Sequence, residues 1–592
     1  MFKDPNMVKY YKRFALIFLI GIIADILVDY AQLYIPQFLG EVVELFGSSA
    51  QITYLDIKDI IRNVIIVAFV LFVGRIILRF SILYASTKIE ASLRHDMFKK
   101  ALRLSQRYYH QNKVGTIMSW FASDLEAIEE FTGWGTIMIV DALFLGAMAI
   151  IKMLSLDYLL TLIALVPMLA LIIWGFEVEK IFGEKWEARQ KIFDKLYDFT
   201  QENFTGIRVI KAFVKEAQEI KAFRKVAQEN ADKNLDFAKS MITFDVFIEL
   251  IIGFTMSAIL GIGGYFVYCY VGGHPCILLG HAINLSVGQL TSFVVYCDIL
   301  IWPMIAMGQI IQMYSRANTS LKRVSRFLNE DEEIHNDENA IVLEKIKGNI
   351  RFNDLSFAYP DSKNHSLDNI SFEIKAGENV GVVGKIGSGK TTLVNSLLRL
   401  YNIDKGKIFI DDVDIMDLNI ANLRDNIAYV PQDNFLFSDN IRNNIAFANN
   451  KASLKDIRRA AEFAAVDDNI VDFAEGYETV TGERGVTLSG GQKQRISIAR
   501  AYIKDAPIMI LDDSVSAVDM KTEETILENI HNKRKGKTTI IIASRVSTVA
   551  HLDKILVLNE GKVEAFDTPE RLLEISPTYK KMVYLQQLEA EL

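Results

Sequence analysis

One glycine-rich stretch carries the residue types that hold phosphate groups. Its residues are Gly384, Lys385, Ile386, Gly387, Ser388, Gly389, Lys390, Thr391 and Thr392. The first eight of them fit the pattern G-x-x-x-x-G-K-[ST], in which backbone N–H groups surround phosphate oxygens. Lys390 is expected to reach the terminal phosphates, and the hydroxyl of Thr391 is expected to ligate Mg²⁺. An apolar run at 379–383 predicts the preceding strand, and 392–398 predicts the helix whose N-terminus favours an anion.

The composition indicates a membrane-embedded half and a soluble half. Of the 592 residues, 51% are apolar and yet 23% are charged, and the length exceeds that of one ordinary domain. The net charge of −8 argues against nucleic acid as a partner. The cysteines, Cys269, Cys276 and Cys297, are too few for a disulfide framework.

Six apolar segments precede residue 315, and each is near or above the roughly 20 residues needed to cross a bilayer. They are Phe14–Phe46, Ile60–Ala85, Ile137–Leu156, Tyr158–Phe176, Phe247–Tyr270 and Leu290–Tyr314. Two long stretches rich in Lys and Arg, 86–133 and 177–240, separate some of them, and the N-terminus is also basic. The positive-inside rule therefore places the N-terminus and both long loops in the cytoplasm.

An acidic stretch separates this apolar half from an α/β half. Residues 329–339 are mostly acidic and carry no periodic pattern, as in a linker. From about Lys347 onward, short apolar strands alternate with helical patterns. We therefore predict a transmembrane domain with six helices and two long cytoplasmic loops (1–325), an acidic linker (326–346) and a nucleotide-binding domain (347–592).

With these parts in this order, the chain resembles an exporter of the ABC (ATP-binding cassette) transporter family. In the second half, the resemblance rests on the P-loop at 384–391, the Q-loop at Gln432, the signature LSGGQ at 488–492, the Walker B strand at 508–512 and the D-loop at 516–519. In the first half, residues 108–115 and 202–213 match two cytoplasmic loops that carry coupling helices in the family. The resemblance implies a six-span α-helical domain followed by an α/β P-loop domain, the type IV exporter architecture, in the cell membrane.

The resemblance also assigns the motifs their tasks on Mg²⁺ and ATP. Tyr359 would stack on adenine. The predicted Mg²⁺ ligands are Thr391, Gln432 and Asp512. Asp512 ends a buried apolar strand, where an isolated carboxylate would be costly unless a metal ion neutralised it. The residues implied to contact ATP held by an opposite domain are Ser489, Gly490, Gly491 and Gln492, at a helix N-terminus suited to phosphate.

Two departures from the family pattern lie at the catalytic positions. Hydrolytic sites carry Glu after Walker B and His in the H-loop, whereas this chain has Asp513 and Ser544. A misplacement of 1 Å can cost about 100-fold in rate, and losing an acid or base costs roughly 10²–10⁴. We expect this P-loop to bind ATP and to hydrolyse it poorly; the alternative is that both substitutions are tolerated in an active enzyme.

The signature motif is intact, so the chain resembles the degenerate-site subunit of a bacterial heterodimeric exporter. The implied partner is a second half-transporter that carries Glu and His at the catalytic positions. Two ATP molecules would be sandwiched between the two domains, and one chain could not complete a site by itself.

Acidic residues within or near the predicted spans form a second candidate feature. They are Asp25, Asp29, Asp141, Asp245, Glu249 and Asp298. Asp25 and Asp29 are four residues apart and share one helix face, and so do Asp245 and Glu249. Charges inside a membrane usually face a cavity. One hypothesis is a negative cavity that attracts cationic amphipathic compounds, and the other places these acids at the membrane interfaces or in internal hydrogen bonds.

The loop between the fifth and sixth spans contains residues that can bind metals. They are Cys269, His274, Cys276 and His281. Their spacing fits no standard zinc pattern. A plain extracellular loop is therefore the favoured interpretation over a metal site or a disulfide between the two cysteines.

Three functions remain open at this point. In the first, which we favour, the chain is half of an ATP-driven transporter that moves drugs, lipids or other amphipathic compounds out of the cell. In the second, the same fold imports iron-chelate complexes. In the third, the chain is a catalytically silent regulatory subunit whose bound ATP holds a dimer together, and this role is compatible in part with the first.

Overall fold

Long helices fill one structural unit of the chain, and strands mixed with shorter helices fill the other. The computed structural model describes residues 4–47, 54–272, 277–278, 281–282, 285–360, 362, 364–482, 485 and 487–591. The first unit consists of Met1–Lys100 and Gly115–Asn329, and the second of Ala101–Val114 and Glu330–Leu592.

Apolar residues continue through many turns in the first unit, which gives very long helices. Up to residue 328 the helices are α1 (Pro5–Gln32), α2 (Tyr34–Gly47), α3 (Tyr54–Ala101), α4 (Gln106–Gln111), α5 (Val114–Ser119), α6 (Leu125–Glu130), α7 (Thr136–Val140), α8 (Gly146–Leu156), α9 (Tyr158–Thr205), α10 (Ile207–Ala212), α11 (Glu216–Val271) and α12 (Val287–Leu328). Of these, α4 belongs to the second unit. A short hairpin, β1 (Ile277–Leu278) and β2 (His281–Ala282), lies between α11 and α12.

Polar residues at the helix starts set where these helices begin. The carboxylate of Asp4 accepts a hydrogen bond from the backbone N–H of Asn6, ahead of Pro5 at the first turn of α1. The carboxylate of Asp157 caps α9 in the same way and separates α9 from α8, at the turn expected from the sequence. Ser286 and Gln289 form a reciprocal capping box at the start of α12.

One of the six predicted membrane spans is only partly covered by the described residues. Within the described residues, five helical stretches are long and apolar enough to cross a membrane. They are Pro5–Gly47, Ile57–Ala101, Val114–Leu156, Glu216–Val271 and Val287–Leu328. The remaining predicted span, Tyr158–Phe176, is represented by the shorter apolar stretch Tyr158–Ala170, because the side chains at 171–180 lie outside the described set.

The third of these spans is irregular. Between α5 and α8 the helix passes through three π-helical turns, at Trp120–Asp124, Phe131–Gly135 and Asp141–Leu145. Such turns insert an extra residue into the helical ladder and are frequent at functional sites. The last of them packs against α1 and α12.

Buried polar groups connect α12 to the rest of the first unit. Asp124 is buried and accepts hydrogen bonds from Arg323 Nε at 2.7 Å and Ser320 Oγ at 2.9 Å. Tyr296 is buried and donates from its hydroxyl to the carbonyl of Leu33 at 3.0 Å. Each buried polar atom in these pairs therefore has a partner, which avoids the cost of an unpaired group.

Two sheets form the centre of the second unit. The first, in the order β4-β3-β6-β7, is antiparallel, and the second, in the order β12-β11-β5-β10-β9-β8, is parallel except at its β12 edge. The strands are β3 (Ile350–Phe357), β4 (Leu367–Ile374), β5 (Asn379–Gly384), β6 (Ile408–Ile410), β7 (Val413–Asp414), β8 (Ile427–Val430), β9 (Ile508–Asp512), β10 (Thr538–Ile542), β11 (Lys554–Asn559) and β12 (Lys562–Asp567). The helices are α13 (Lys390–Leu397), α14 (Ile420–Asp425), α15 (Ile441–Ala446), α16 (Leu454–Phe463), α17 (Asp467–Val471), α18 (Gly490–Tyr502), α19 (Met520–Lys533), α20 (Pro569–Ile575) and α21 (Pro577–Glu591).

The parallel sheet is covered on both faces, which explains why its central strands are largely apolar and buried. Along β9, successive side chains point to opposite faces. Ile508 and Ile510 join the core shared with the antiparallel sheet. Met509 and Leu511 join the core beneath the helices. The alternating direction of the side chains along β9 therefore determines whether each residue packs into the core on one face of the sheet or the core on the other.

The segment Ala101–Val114 belongs to the second unit, although the sequence prediction assigned it to the transmembrane domain. Ser105 Oγ donates to Glu333 Oε2 at 2.9 Å, and Arg107 pairs with the same carboxylate at 3.4 Å. Residues 102–106 also line a cavity of about 550 Å³ with Leu400, Ile420, Ala421 and Arg424. These contacts involve residues 102–107, just before the predicted cytoplasmic loop at 108–115.

Removing the Glu333 carboxylate should loosen this segment. Glu333→Gln weakens one ion pair and one hydrogen bond in a partly exposed place, which is worth about 1 kcal/mol, or roughly a fivefold rise in the opened population. Limited proteolysis of the full chain with trypsin, which cleaves after Arg103 and Arg107, should therefore be several-fold faster there. The matched control is Glu338→Gln, because Glu338 is an exposed acid in the same acidic stretch. Equal cleavage rates in the two variants would contradict the assigned contact.

Candidate functional site

Four predicted motifs lie at the carboxyl ends of four neighbouring parallel strands. The P-loop follows β5, Ser544 follows β10, Asp512 ends β9, and Gln432 follows β8. The strand order β5-β10-β9-β8 makes each strand the neighbour of the next. The register pairs Ile542 with Asp512, so the ends of β10 and β9 coincide. Ligands of open α/β sheets bind at this edge, and the sheet topology therefore brings the motifs together.

The P-loop adopts a backbone that requires glycine at two points. Gly389 has φ = 96°, and a Cβ there would lie 2.7 Å from the carbonyl oxygen of Ser366. A Cβ at Gly384 would lie 2.2 Å from the carbonyl oxygen of Leu558. Lys390 donates from Nζ to the carbonyls of Gly384 and Lys385, at 2.8 and 3.0 Å. The lysine therefore closes the loop on itself at the start of α13, where backbone N–H groups favour an anion.

The end of β9 holds a buried carboxylate that is only partly satisfied. Asp512 is 1% exposed, and its Oδ2 atom has no hydrogen-bond partner among the described residues. Burial raises the pKa of Asp512, and a hydrogen bond from Thr391 and the charge of Lys390 oppose that effect. Ser388 Oγ, in the P-loop, is also buried and unpaired in the described part of the chain. These two orphan oxygens suit a Mg²⁺–phosphate group, which would satisfy both.

The P-loop lysine is electrostatically linked to the carboxylates at the end of β9. Burial lowers the pKa of Lys390, and attraction to Asp513 and Asp512 partly offsets this. A bound triphosphate would add negative charge to the same side chain. The arrangement can therefore hold a Mg²⁺–nucleotide through one cation, one carboxylate pair and the backbone of the loop.

The two positions that depart from the family pattern are fixed by their backbones. Asp513 has φ = 47°, a left-handed conformation that Asp tolerates, and its N–H donates to the carbonyl of Ile542 at 2.9 Å. The exposed Ser544 follows β10, and Gln586 Nε2 donates to its carbonyl at 3.5 Å. Gln586 Oε1 also accepts from the N–H of Val546 at 2.8 Å. Both loops are therefore tied to neighbouring elements.

The signature residues begin a different helix. Ser489 caps α18 through a reciprocal box with Gln492, and its own side chain is exposed. A Cβ at Gly491 would lie 3.0 Å from the carbonyl of Ala517, whose N–H donates to Gln494 Oε1 at 3.1 Å. The helix packs on α15, α16 and β8. The signature is thus positioned against the D-loop, with its first turn open to solvent.

The remaining predicted residues lie on exposed or half-buried loops. Tyr359 is half-buried, meets the rings of Phe357 and Tyr401 edge to face at 5.2 Å, and its hydroxyl lies 3.2 Å from Thr392 Oγ1. Gln432 is exposed beyond β8. His274 and Cys276 of the candidate metal loop lie outside the described residues. The roles of Tyr359 and Gln432 on a nucleotide stay predictions.

Two contributors to the site escaped the sequence analysis. Tyr429 on β8 hydrogen-bonds the carboxylate of Asp512. Gln586 on α21 holds the loop after β10 from 42 positions away in the sequence. Tyr429 looks like any other residue of an apolar strand in the sequence. The contact of Gln586 joins distant parts of the sequence, so no local pattern could reveal it.

Comparison with known proteins decides the family. The model described as "ABC transporter transmembrane region" matches residues 18–304, and the model described as "ABC transporter" matches residues 367–516. A "Probable multidrug resistance ABC transporter ATP-binding/permease protein YheI" of Bacillus subtilis (strain 168) is 32% identical over 589 residues, which are 98% of this chain and 97% of the relative. The chain belongs to the ABC transporter family. A "Multidrug resistance-like ATP-binding protein MdlA" of Escherichia coli (strain K12) is 34% identical over 569 residues, 96% of this chain and 94% of that protein.

A solved structure supports the same architecture. The "Structure of a bacterial Atm1-family ABC exporter with ATP bound" aligns with a TM-score of 0.78 and 25% identity, over 97% of this chain and 98% of that chain. The predicted fold class, a helical transmembrane domain followed by an α/β nucleotide-binding domain of the type IV exporter, is thereby confirmed. Membership in the family implies a multi-pass membrane protein that binds ATP, with Mg²⁺ as the standard ion.

Neutralising Asp512 should stabilise the nucleotide-free protein. Because burial raises the pKa of this carboxyl, the folded protein keeps its proton to a higher pH than the unfolded chain does, and stability falls as pH rises through that range. Asp512→Asn should therefore raise Tm at neutral pH without nucleotide, and the gain should shrink as pH falls towards the ordinary carboxyl range.

The same substitution should remove the stabilisation by Mg²⁺–ATP, since that stabilisation requires a bound ion. Thermal unfolding of the full chain with and without Mg²⁺–ATP measures both effects. Asp404→Asn, at an exposed acid of the same unit, is the matched control and should change neither. A lower Tm of Asp512→Asn without nucleotide would contradict the description of Asp512 as an unsatisfied buried charge.

Proposed function

We propose that this chain is one subunit of a heterodimeric ATP-driven exporter, in which its own P-loop site binds ATP and hydrolyses it poorly. Its intact signature motif completes the active site of a partner subunit that carries Glu and His at the catalytic positions. The observation that carries the proposal is the pair Asp513 and Ser544 at the ends of β9 and β10.

The short side chain of Asp513 cannot be compensated by a shift of its backbone. Its N–H is held by the carbonyl of Ile542, and its left-handed φ fixes the direction of the side chain. A carboxylate one methylene shorter than Glu therefore stops short of the water that it must orient. Misplacement on this scale costs about 100-fold in rate.

Ser544 adds a second and independent loss. A serine hydroxyl lacks the imidazole that would contact the γ-phosphate, and a missing acid or base costs roughly 10²–10⁴ in rate. The loop stays tied to Gln586, so its backbone is not free to bring another group into that place. Binding groups are retained at the same time, namely Lys390, Thr391 and Asp512.

Each residue then has a defined task when nucleotide is present. Thr391, Gln432 and Asp512 would hold Mg²⁺, which supplies charge neutralisation at the phosphates. Lys390 and the P-loop amides bind the phosphates, and Tyr359 faces the base. The exposed N-terminus of α18, beginning at Ser489, offers its N–H groups to the γ-phosphate of the partner's ATP.

Exposed apolar residues on the second cytoplasmic loop support a second subunit. Around α10, the side chains of Phe204, Val209 and Phe213 are 72%, 61% and 70% exposed. Such side chains at the tip of a charged, cytoplasmic extension are costly to leave in water. We assign this tip to contact with a nucleotide-binding domain, as the family's coupling loops do.

The relatives and the charge pattern support the proposed direction and substrate class. The named relatives from Bacillus subtilis and Escherichia coli carry multidrug resistance in their titles, which supports efflux of drugs, lipids or other amphipathic compounds. The Lys- and Arg-rich stretches 86–133 and 177–240 support a cytoplasmic location for the long loops and the nucleotide-binding domain. Among the described residues, no observation specifically favours import of iron chelates or a purely regulatory role.

Assembly can be tested by ATPase assays on the chain alone and with its partner. The isolated chain in detergent should show almost no activity, because neither site is complete in it. Co-expression with a half-transporter that has Glu and His should restore turnover. Robust and cooperative ATPase activity from the isolated chain would rule out the obligate heterodimer.

The asymmetry of the two sites predicts unequal effects of matched substitutions. Asp513→Asn should reduce heterodimer ATPase only modestly, because that site contributes little turnover. Ser489→Arg should remove most ATPase activity, since it blocks the partner's site. The Glu-to-Gln change in the partner should leave the heterodimer with almost no ATPase activity.

Ser453→Arg controls for the loss of a helix cap. Ser453 is an exposed N-cap of α16 with the same kind of capping box as Ser489, but it lies outside the signature. It should leave activity nearly unchanged. If Asp513→Asn were as damaging as the partner's change, the site of this chain would be a working one.

A further inference from the structure

Three of the six predicted intramembrane acids bring their carboxylates close together. Asp25 and Asp29 are one turn apart on α1, and Asp141 is the first residue of a π-helical turn that packs against α1. Carboxylate oxygens of these residues all lie within 4.8 Å of one another. Asp245 and Glu249 are exposed on α11. Helix spacing alone therefore did not decide which acids meet.

The converging carboxylates are buried and incompletely paired. Asp25 is 1% exposed and Asp29 is 3% exposed. The Oδ2 atom of each has no hydrogen-bond partner in the part of the chain that the structure describes. Two unpaired buried carboxylates this close are costly as anions, and a bound cation removes that cost.

Asp141 is held in place by a residue on another helix. Trp302 on α12 donates from Nε1 to Asp141 Oδ2 at 2.9 Å. A hydrogen bond of this kind orients a ligating carboxylate and leaves its other oxygen available. The π-helical turn that begins at Asp141 is the type of local irregularity that places a side chain for function.

These residues line a cavity that is large enough for entry of an ion with its water. The cavity measures about 460 Å³ and is lined by four aspartates, the fourth being Asp298, and by Arg75 and Arg79. Arg75 donates from Nη2 to Gln32 Oε1 at 3.4 Å. The charged lining has more carboxylates than guanidinium groups, so its net charge is negative and attracts cations.

We propose that Asp25, Asp29 and Asp141 form a binding site for a divalent cation in the transmembrane unit. The ligands are all carboxylate oxygens, which is the donor set that Mg²⁺, Ca²⁺ and Mn²⁺ prefer. Two oxygens bound at roughly 2.0–2.6 Å on opposite sides of one ion are at most about 5 Å apart, which matches the observed spacing.

A divalent ion fits the charge better than a single ammonium group does. Three carboxylates surround one point, and an ammonium ion would leave two of their charges without compensation. A divalent ion leaves one, which the nearby Arg75 and Arg79 reduce further. This inference goes beyond the proposed ATP chemistry, because it concerns the transmembrane unit alone and its test does not use ATPase activity.

Terbium luminescence tests the site directly. Tb³⁺ occupies oxygen-rich sites and emits when a nearby tryptophan is excited, and Trp302 touches the proposed ligand Asp141. All five tryptophans of the chain precede residue 303, so none lies in the sequence of the nucleotide-binding domain. The full-length chain, purified with its partner and without nucleotide, should show Tb³⁺ emission that Ca²⁺ or Mn²⁺ displaces.

Substitutions in this chain locate the ion. Asp25→Asn and Asp141→Asn should each lower the sensitised emission by at least about tenfold, since losing even an outer partner of a metal ligand costs 10- to 100-fold in affinity. Asp245→Asn, at an exposed acid on α11, is the matched control and should keep the emission. If one variant does not yield folded protein, Asp29→Asn carries the same test.

Two results would overturn the proposal. Unchanged emission in the site variants would mean that Tb³⁺ binds elsewhere. Displacement of Tb³⁺ by a quaternary ammonium compound, without displacement by Ca²⁺ or Mn²⁺, would assign the cavity to organic cations instead. Neither result depends on whether the transporter hydrolyses ATP asymmetrically.

Discussion

The parallel pairing of β10 with β9 is the constraint on which the nucleotide site depends. It ends both strands at the same level, pairing Ile542 with Asp512. The backbone of Asp513 then continues the pairing by donating to the carbonyl of Ile542. A helix at either place could rotate and so move its side chains, but the end of a strand paired with a neighbouring strand cannot. The chemistry at this edge is therefore set by side-chain length and type, and so two substitutions are expected to change hydrolysis without changing the fold.

The membrane unit contains buried carboxylates that differ in how completely they are hydrogen-bonded. Asp124 is fully matched by Arg323 and Ser320, whereas Asp25 and Asp29 each keep an oxygen without a partner among the described residues. Both groups lie in the same unit and are similarly buried. The contrast indicates that the matched group holds α12 in place and that the unmatched group is available to a ligand. We therefore assign a structural role to Asp124, whose hydrogen bonds are complete, and a binding role to Asp25 and Asp29, whose hydrogen bonds are not.

The sequence predicted the parts that follow from local pattern and from motif spacing. The P-loop between β5 and α13, the turn at Asp157 and the α/β character after residue 347 are all of this kind. It could not predict that Asp141 meets Asp25, because π-helical turns shift the register of a helix without a clear sequence signal. It also missed Gln586, whose contact with the loop after β10 arises from tertiary folding across 42 residues. The contact of residues 102–107 with Glu333 depends on the path of the chain, which no local pattern reveals.

Nucleotide occupancy of the two P-loops under turnover tests the central claim most directly. The heterodimer would be given Mg²⁺ and photoreactive 8-azido-ATP during steady-state hydrolysis, freed rapidly of unbound nucleotide and irradiated. The two subunits would then be separated on a gel and their labels compared. Poor hydrolysis at Asp513 and Ser544 predicts that trapped nucleotide lies mainly on this chain, because its ATP stays occluded while the partner's turns over. Equal labelling of both subunits, or labelling mainly of the partner, would contradict the account.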